Sequence, residues 1–210
     1  MKTEWKLVAL AAATLAMSGC ASMSGEECMA TDWSAVGYED GARGYTSDRF
    51  GQHRKACAKH GVTADFGDYQ AGREQGLREY CQPGRGFDVG ASGGRYYGVC
   101  DVQLEGDFLD AYNAGAHLYA LRSNVNRATA DIKSRERELE EVAESTRQKE
   151  ILLIAEETTT EERIILLADL KKLSEQKGRL EAEIRELYDV RARHQAELED
   201  YQVAVADFGY

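Results

Sequence analysis

The most apolar stretch in this chain of 210 residues is Leu7–Ala16, which leads through Met17 into the small residues Ser18, Gly19 and Cys20. It is about half the ~20 residues that a bilayer-spanning helix needs, so it is no membrane span. Positive charge is also scarce, with 26 Lys and Arg against 37 Asp and Glu and a net charge of −11. Such a chain repels nucleic acid and anionic headgroups, and neither is expected as a partner. The spacings that signal common chemistry are missing. There is no C-x-x-C, which disfavours a zinc knuckle or redox pair. H-E-x-x-H, G-x-S-x-G and a Gly-Lys-Ser/Thr phosphate loop are absent as well. The four histidines, His53, His60, His117 and His194, are scattered. His53 and His60 stand seven apart, not at the i,i+4 spacing that puts two ligands on one helical turn. Carboxylates are so abundant that some pairs lie ~5–9 Å apart by chance, so their count argues for no hydrolase. Asp40 and Asp65 are the carboxylates a hydrolase would draw on. No enzyme activity, cofactor or metal is expected.

The opening residues are the most informative. Met1-Lys2 and Lys6 make a basic region, Leu7–Ala16 an apolar one, and Met17-Ser18-Gly19-Cys20 a small-residue cleavage site. That is the layout of a secretory signal. It resembles the lipobox of bacterial lipoproteins. The resemblance implies a diacylglycerol on the Cys20 thiol, cleavage after Gly19, and a palmitate-type acyl chain on the new amine. Two or more such chains anchor a protein stably, at ~0.8 kcal/mol per buried methylene. Ala21, and not Asp, follows the cysteine, which implies sorting to the outer membrane, facing the periplasm. Loss of Lys2, Lys6 and Glu4 with the leader takes the net charge from −11 to −12.

Composition then changes along the chain. Pro83 is the single proline, and nearly all of the 20 glycines lie between Gly25 and Gly115. Cys28, Cys57, Cys81 and Cys100 fall in the same segment. An even number of cysteines in an exported chain reads as two disulfides. Three pairings are open. Cys28–Cys57 with Cys81–Cys100 is favoured because each closes a compact unit, in a loop long enough for ~3 kcal/mol. A core poor in Leu, Ile and Val needs such staples.

Three related phrases recur here: Trp33-x-x-x-Gly37-x-x-x-Gly41, Tyr69-x-x-Gly72-x-x-x-Gly76, and Tyr112-x-x-Gly115. Glycines four apart share a helical face that a second helix can approach closely. Asp32 caps the first predicted helix and Asp65 or Asp68 the second. A short helix is predicted around Arg54–His60. From Pro83 to Cys100 the glycine density predicts turns or a short hairpin. Trp33, Tyr69, Tyr96 and Tyr97 are the candidate ligand-facing aromatics of a glycan or peptide groove. The competing and favoured reading is that they pack a small core.

The combination Cys57-x3-Gly61-Val62-x2-Asp65-x3-Tyr69-x2-Gly72-Arg73-x2-Gly76-Leu77-x2-Tyr80-Cys81 resembles a proteobacterial lipoprotein family, domain-of-unknown-function family 2799. Gly86-Phe87, Gly90, Gly93, Tyr96, Val99-Cys100, Phe108-Leu109, Ala111-Tyr112 and Gly115 continue the likeness, as do Trp33, Gly37 and Asp40-Gly41 before it. It covers about residues 28–120. Ala64 and Asp101 stand where the family pattern leads one to expect prolines. The resemblance brings no catalytic residue, cofactor or substrate.

Beyond Leu118 the pattern is heptads. One seam runs Leu118, Leu121, Val125, Ala128, Ile132, Arg135, Leu139, Val142. The other runs Leu166, Leu170, Leu173, Lys177, Leu180, Ile184, Leu187, Arg191, His194, Leu198, Tyr201. Alternating steps of three and four mark a coiled coil. Thr158…Glu161 and Thr159…Glu162 have capping-box spacing where the seams break. Ile151–Ile154 and Ile164–Leu167 flank the break as mirror images. Reversal at the threonines is expected to bring these clusters together. An uninterrupted helix in a parallel oligomer is the rival arrangement.

The expected protein is mainly α, a small Gly/Cys-rich disulfide-stapled helical domain followed by a long antiparallel coiled-coil hairpin. Its layout is a signal peptide at 1–19, a tether at 20–27 and the stapled domain at 28–112. The hairpin follows at 113–201, with its turn near 156–161, and then a tail at 202–210. Its expected role is that of a lipid-anchored envelope protein whose hairpin meets a protein partner or a second copy. A periplasmic glycan- or peptide-binding module is the alternative.

Overall fold

The computed structural model describes residues 24–207. The expected leader, Cys20 and most of the tether lie outside the described residues, as do residues 208–210. The described chain is helical, and none of its helices is long and apolar enough to cross a membrane. It divides into two compact units. One runs to Arg85 and takes in Tyr96–Gly106, and the other comprises Gly86–Arg95 and the chain from Asp107.

The first unit holds α1 (Gly25–Ala30), α2 (Trp33–Ala42), α3 (Asp48–Ala58) and α4 (Phe66–Tyr80). Asp32 caps α2 by accepting from Ser34 N and Ala35 N, and Asp65 caps α4 by accepting from Asp68 N. The short helix predicted around Arg54–His60 is α3, which begins six residues earlier. Cys28 is joined to Cys57 and Cys81 to Cys100. Trp33, Phe50, Cys57 and Tyr69 are buried together. Phe50 is central, its ring centroid 6.1 Å from Trp33, 5.1 Å from Phe66 and 4.9 Å from Tyr69.

α2 and α4 run parallel, glycine face to glycine face. A Cβ at Gly37 would strike the Tyr69 carbonyl, and one at Gly72 the Ser34 carbonyl. Gly41 and Gly76 meet the Arg73 and Tyr38 carbonyls in the same way. No residue but glycine lets the two backbones come this close.

The second unit repeats the device. α5 (Pro83–Ala91) and α6 (Val102–Ile154) span the division between units. From Gly86 onward α5 lies parallel to α6, with Gly90 against Tyr112 and Gly115 against Phe87. Gly37, Gly41 and Gly44 in the first pair correspond to Gly86, Gly90 and Gly93 in the second. Tyr69, Gly72, Gly76 and Tyr80 correspond to Phe108, Ala111, Gly115 and Tyr119. The helix ends match too. Tyr45 N bonds to Asp40 O and Gly94 N to Val89 O, each after a glycine at φ +72° or +73°. This is the Schellman arrangement, and the left-handed residue in it favours glycine.

Two expectations are corrected. Residues 83–91 are helix, not turn. Pro83 has the fixed φ that suits a first helical position, and the glycines line a packed face instead of breaking it. The third phrase also begins at Phe108 and not Tyr112, because Phe108 takes the place of Tyr69.

From Asp107, α6 and α7 (Thr160–Asp207) form an antiparallel hairpin. Leu118, Leu121 and Leu198 are buried together, with Val125 and Tyr201 packed on them. Lys149 pairs with Asp169 at 2.8 Å and Arg135 with Glu183 at 3.2 Å. The Tyr188 hydroxyl donates to Glu136. At ~1.5 Å per residue the 48 residues of α7 extend ~70 Å.

Candidate functional site

The most concentrated polar chemistry surrounds Asp40, which α2 holds 5 % exposed. Its Oδ2 is 2.8 Å from His53 Nε2 and accepts from the Tyr69 hydroxyl at 2.9 Å. Arg49 Nε lies 3.5 Å from Oδ1, near enough for charge attraction but making no hydrogen bond. The same guanidinium stacks 4.4 Å from the centre of the Tyr45 ring. Arg73 donates twice to the Tyr45 carbonyl, at 3.1 and 2.8 Å. Burial pushes the Tyr69 hydroxyl pKa well above the usual phenol range. The bond to Asp40 adds to this, and the charges of Arg73 and Arg49 partly oppose it.

Comparison of the two helix pairs indicates what this cluster does. At the places of Asp40 and Tyr69 the second pair has Val89 and Phe108. Glycine-faced packing therefore stands without a buried carboxylate. What Asp40 adds is a hold on α3, the source of Arg49 and His53. A carboxylate that orients a histidine is half of a nucleophile–base–orienter chain. Here the remaining members are a tyrosine and an arginine, not a serine or cysteine, and the Asp40 oxygens are already engaged. The chemistry is that of a clamp.

The four candidate aromatics do not form one groove. Trp33 and Tyr69 are buried in the core, at 7 % and 0 % exposed. Tyr96 is half-buried. Its hydroxyl donates to Glu105 and accepts from Cys100 N, which ties the second staple to the start of α6. Tyr97 alone is exposed. It borders a cleft of about 230 Å³ with Tyr45, Asp48 and Arg49, below the ~300–1,000 Å³ of small-molecule pockets. Asp65 is an N-cap, and His194 pairs with Glu197 on α7. Among the described residues, no group of three or more His, Cys, Asp or Glu could hold a metal ion.

The second concentration of unusual features is the hairpin tip. Thr159 and Glu162 form a reciprocal capping box. Thr158 Oγ1 donates to the Leu152 carbonyl at 2.6 Å. Arg163, which sequence reasoning passed over, clips the turn. Its guanidinium donates to the carbonyls of Leu153, Ala155 and Thr158 and so satisfies the end of α6. The mirrored apolar clusters do not bury one another as expected. Leu153 and Leu166 are half-buried, but Ile151, Leu152, Ile154, Ile164, Ile165 and Leu167 are exposed. A two-helix seam covers one stripe of each helix, and these residues occupy more than one.

Residues 32–117 match the family model described as protein of unknown function (DUF2799). This segment, 86 of the 210 residues, is similar to that family. The DUF2799 segment takes in both glycine-faced pairs, the Asp40 clamp and the second staple, and stops before most of the hairpin. No curated protein and no solved structure matches the chain.

Proposed function

We propose that this chain is a lipid-anchored bacterial envelope protein with a structural or protein-interaction role. Cys20 carries the anchor and the hairpin is its working surface. The observation that carries the interaction role is the apolar tip. Six Ile and Leu side chains stand in water at the end of a hairpin ~70 Å long. Contiguous exposed apolar surface of this kind marks contact sites. The signal layout at residues 1–20 and the two disulfides support export. Ala21 supports the outer membrane, facing the periplasm. The role is non-enzymatic: the buried Asp40 cluster among the described residues is built as a clamp, its Oδ2 held by His53 and Tyr69 and its Oδ1 facing the Arg49 charge.

The test has two parts. Cys20→Ser should abolish acyl labelling and release the chain from the membrane. A photo-crosslinking residue at Ile165 in intact cells should trap a protein, and one at Asp189, on the shaft, should not. Wild-type chain found soluble in the periplasm, or a tip that traps nothing, would refute the proposal. Binding to cell-wall sacculi that survives deletion of residues 122–201 would favour a glycan-binding module instead.

A further inference from the structure

The tip has more apolar surface than its own hairpin can use. Ile151, Leu152, Ile154, Ile164, Ile165 and Leu167 are 53–77 % exposed. They form a collar around both helices. A two-stranded coil needs apolar residues only along its a and d seam. Helices apolar on further faces are suited to more neighbours, as in a four-helix bundle.

Charge around the collar indicates which neighbours. Beyond it lies an acidic cap of Glu156, Glu157, Glu161 and Glu162, all exposed. The cap's one cation, Arg163, is turned onto carbonyls. Below the collar lies a basic belt of Arg147, Lys149, Lys171 and Lys172. The belt also contains Glu150 and Asp169; Lys149 is paired with Asp169 and Arg147 with Glu144, so Lys171 and Lys172 carry the charge it offers a neighbour. Cap and belt each stand about four to six residues from the collar's centre, ~6–9 Å along the helices. The tip is thus nearly symmetric in distance about its apolar middle, with four carboxylates on one side and the cations Lys171 and Lys172 on the other.

We propose that a second copy of this chain covers the collar, the two tips overlapping in opposite directions as a local four-helix bundle. A two-fold axis through the collar places the cap of each copy on the belt of the other and satisfies both contacts at once. Parallel packing would set cap against cap. A bilayer is a poorer occupant, because four carboxylates would have to enter it ahead of the apolar collar. The proposal rests on the interaction role argued above and names its partner.

Light scattering on the purified full chain tests it. Wild type should double in mass with concentration, and the dimer should weaken as salt screens the cap–belt pairs. Lys171→Glu with Lys172→Glu should weaken it at least tenfold, and Glu156→Lys with Glu157→Lys likewise. All four together exchange the signs of Glu156 and Glu157 with those of Lys171 and Lys172, leave the other cap and belt charges in place, and should recover the dimer that either double variant loses. That recovery separates lost pairing from lost folding. Ile165→Cys should crosslink between copies, because it lies near the axis.

A chain monomeric up to roughly 1 mM would overturn the proposal. So would a dimer indifferent to every charge change, or a monomer whose tip binds zwitterionic vesicles. A monomer whose tip traps a different protein in cells overturns the second copy but leaves the interaction role standing. A tip that traps nothing and does not self-associate overturns both.

Discussion

Replacing Gly37 by Ala adds one methyl group, and its effect should be opposite to that of the same change at Gly51. Both glycines lie inside helices of the first unit, α2 and α3. In an open helical site Ala is favoured over Gly by ~0.8–1.0 kcal/mol. Gly51 is such a site, since a Cβ there meets nothing within 4 Å. At Gly37 the Cβ would strike the Tyr69 carbonyl oxygen. It would also lie 2.8 Å from the Tyr69 carbonyl carbon and 2.9 Å from Arg73 N, where ordinary contact begins at 3.4 Å. These are backbone atoms and cannot swing aside, so α2 and α4 must part. A gap of 0.5–1 Å forfeits a quarter to a half of each contact's attraction. If ~40 atom pairs of ~0.1–0.2 kcal/mol each lose about half, the loss is ~2–4 kcal/mol. Set against the propensity gain, Gly37→Ala should destabilise by ~1–3 kcal/mol, within the usual range for overpacking. Gly51→Ala should stabilise by up to ~1 kcal/mol. Trp33 reports the event directly, because it is buried in this core and the chain's other tryptophan, Trp5, falls in the expected leader. Urea unfolding of the chain without residues 1–19, followed by Trp33 fluorescence with disulfides intact, gives both values. Equal effects at Gly37 and Gly51, or a more stable Gly37→Ala, would refute the account of backbone-to-backbone packing.

Tyr69 holds its proton more tightly folded than unfolded, so its contribution is present below the ordinary phenol pKa of ~10 and is lost as pH rises beyond it. Tyr69→Phe should flatten that alkaline decline in stability. At neutral pH it should cost ~1–3 kcal/mol, because Asp40 loses a donor. Glu162 and Asp169 are shifted the other way, each below its ordinary value, by the Thr159 backbone bond and by Lys149. The stability they lend to the turn is present at neutral pH and is lost as pH falls through the carboxylate range. Asp169→Asn should remove part of the acid dependence seen in helix content between pH 7 and 3. Cysteines at Val125 and His194 should be joined within one chain by a short crosslinker, since the hairpin brings these regions together. A single continuous helix would hold them ~100 Å apart, and exclusively interchain product would refute the reversal.

Much of the fold is written in local pattern. Asp32 and Asp65 precede apolar periodicity and cap the helices they announce. The heptads from Leu118 to Tyr201 and the Thr159–Glu162 box specify two long helices and their reversal, because seam spacing and capping are properties of short stretches. The cysteine order favours the pairing that forms, Cys28 with Cys57 across α2 and α3 and Cys81 with Cys100 across α5. What the sequence did not settle depends on what lies opposite. The glycines of residues 83–91 read as turn because glycine lowers helix propensity by itself. Only the facing backbone of α6 makes them a helical surface. Trp33 and Tyr69 could line a groove or fill a core, and the neighbouring Phe50 decides for the core. His53, Arg49 and Asp40 are remote in pattern and share no motif, so no local signal joins them. Their meeting requires α3 to fold across α2 and α4. At the tip the mirrored apolar clusters were legible, but their exposure was not. A seam buries only the residues that point into it, and which side chains point in is fixed when two helices pack.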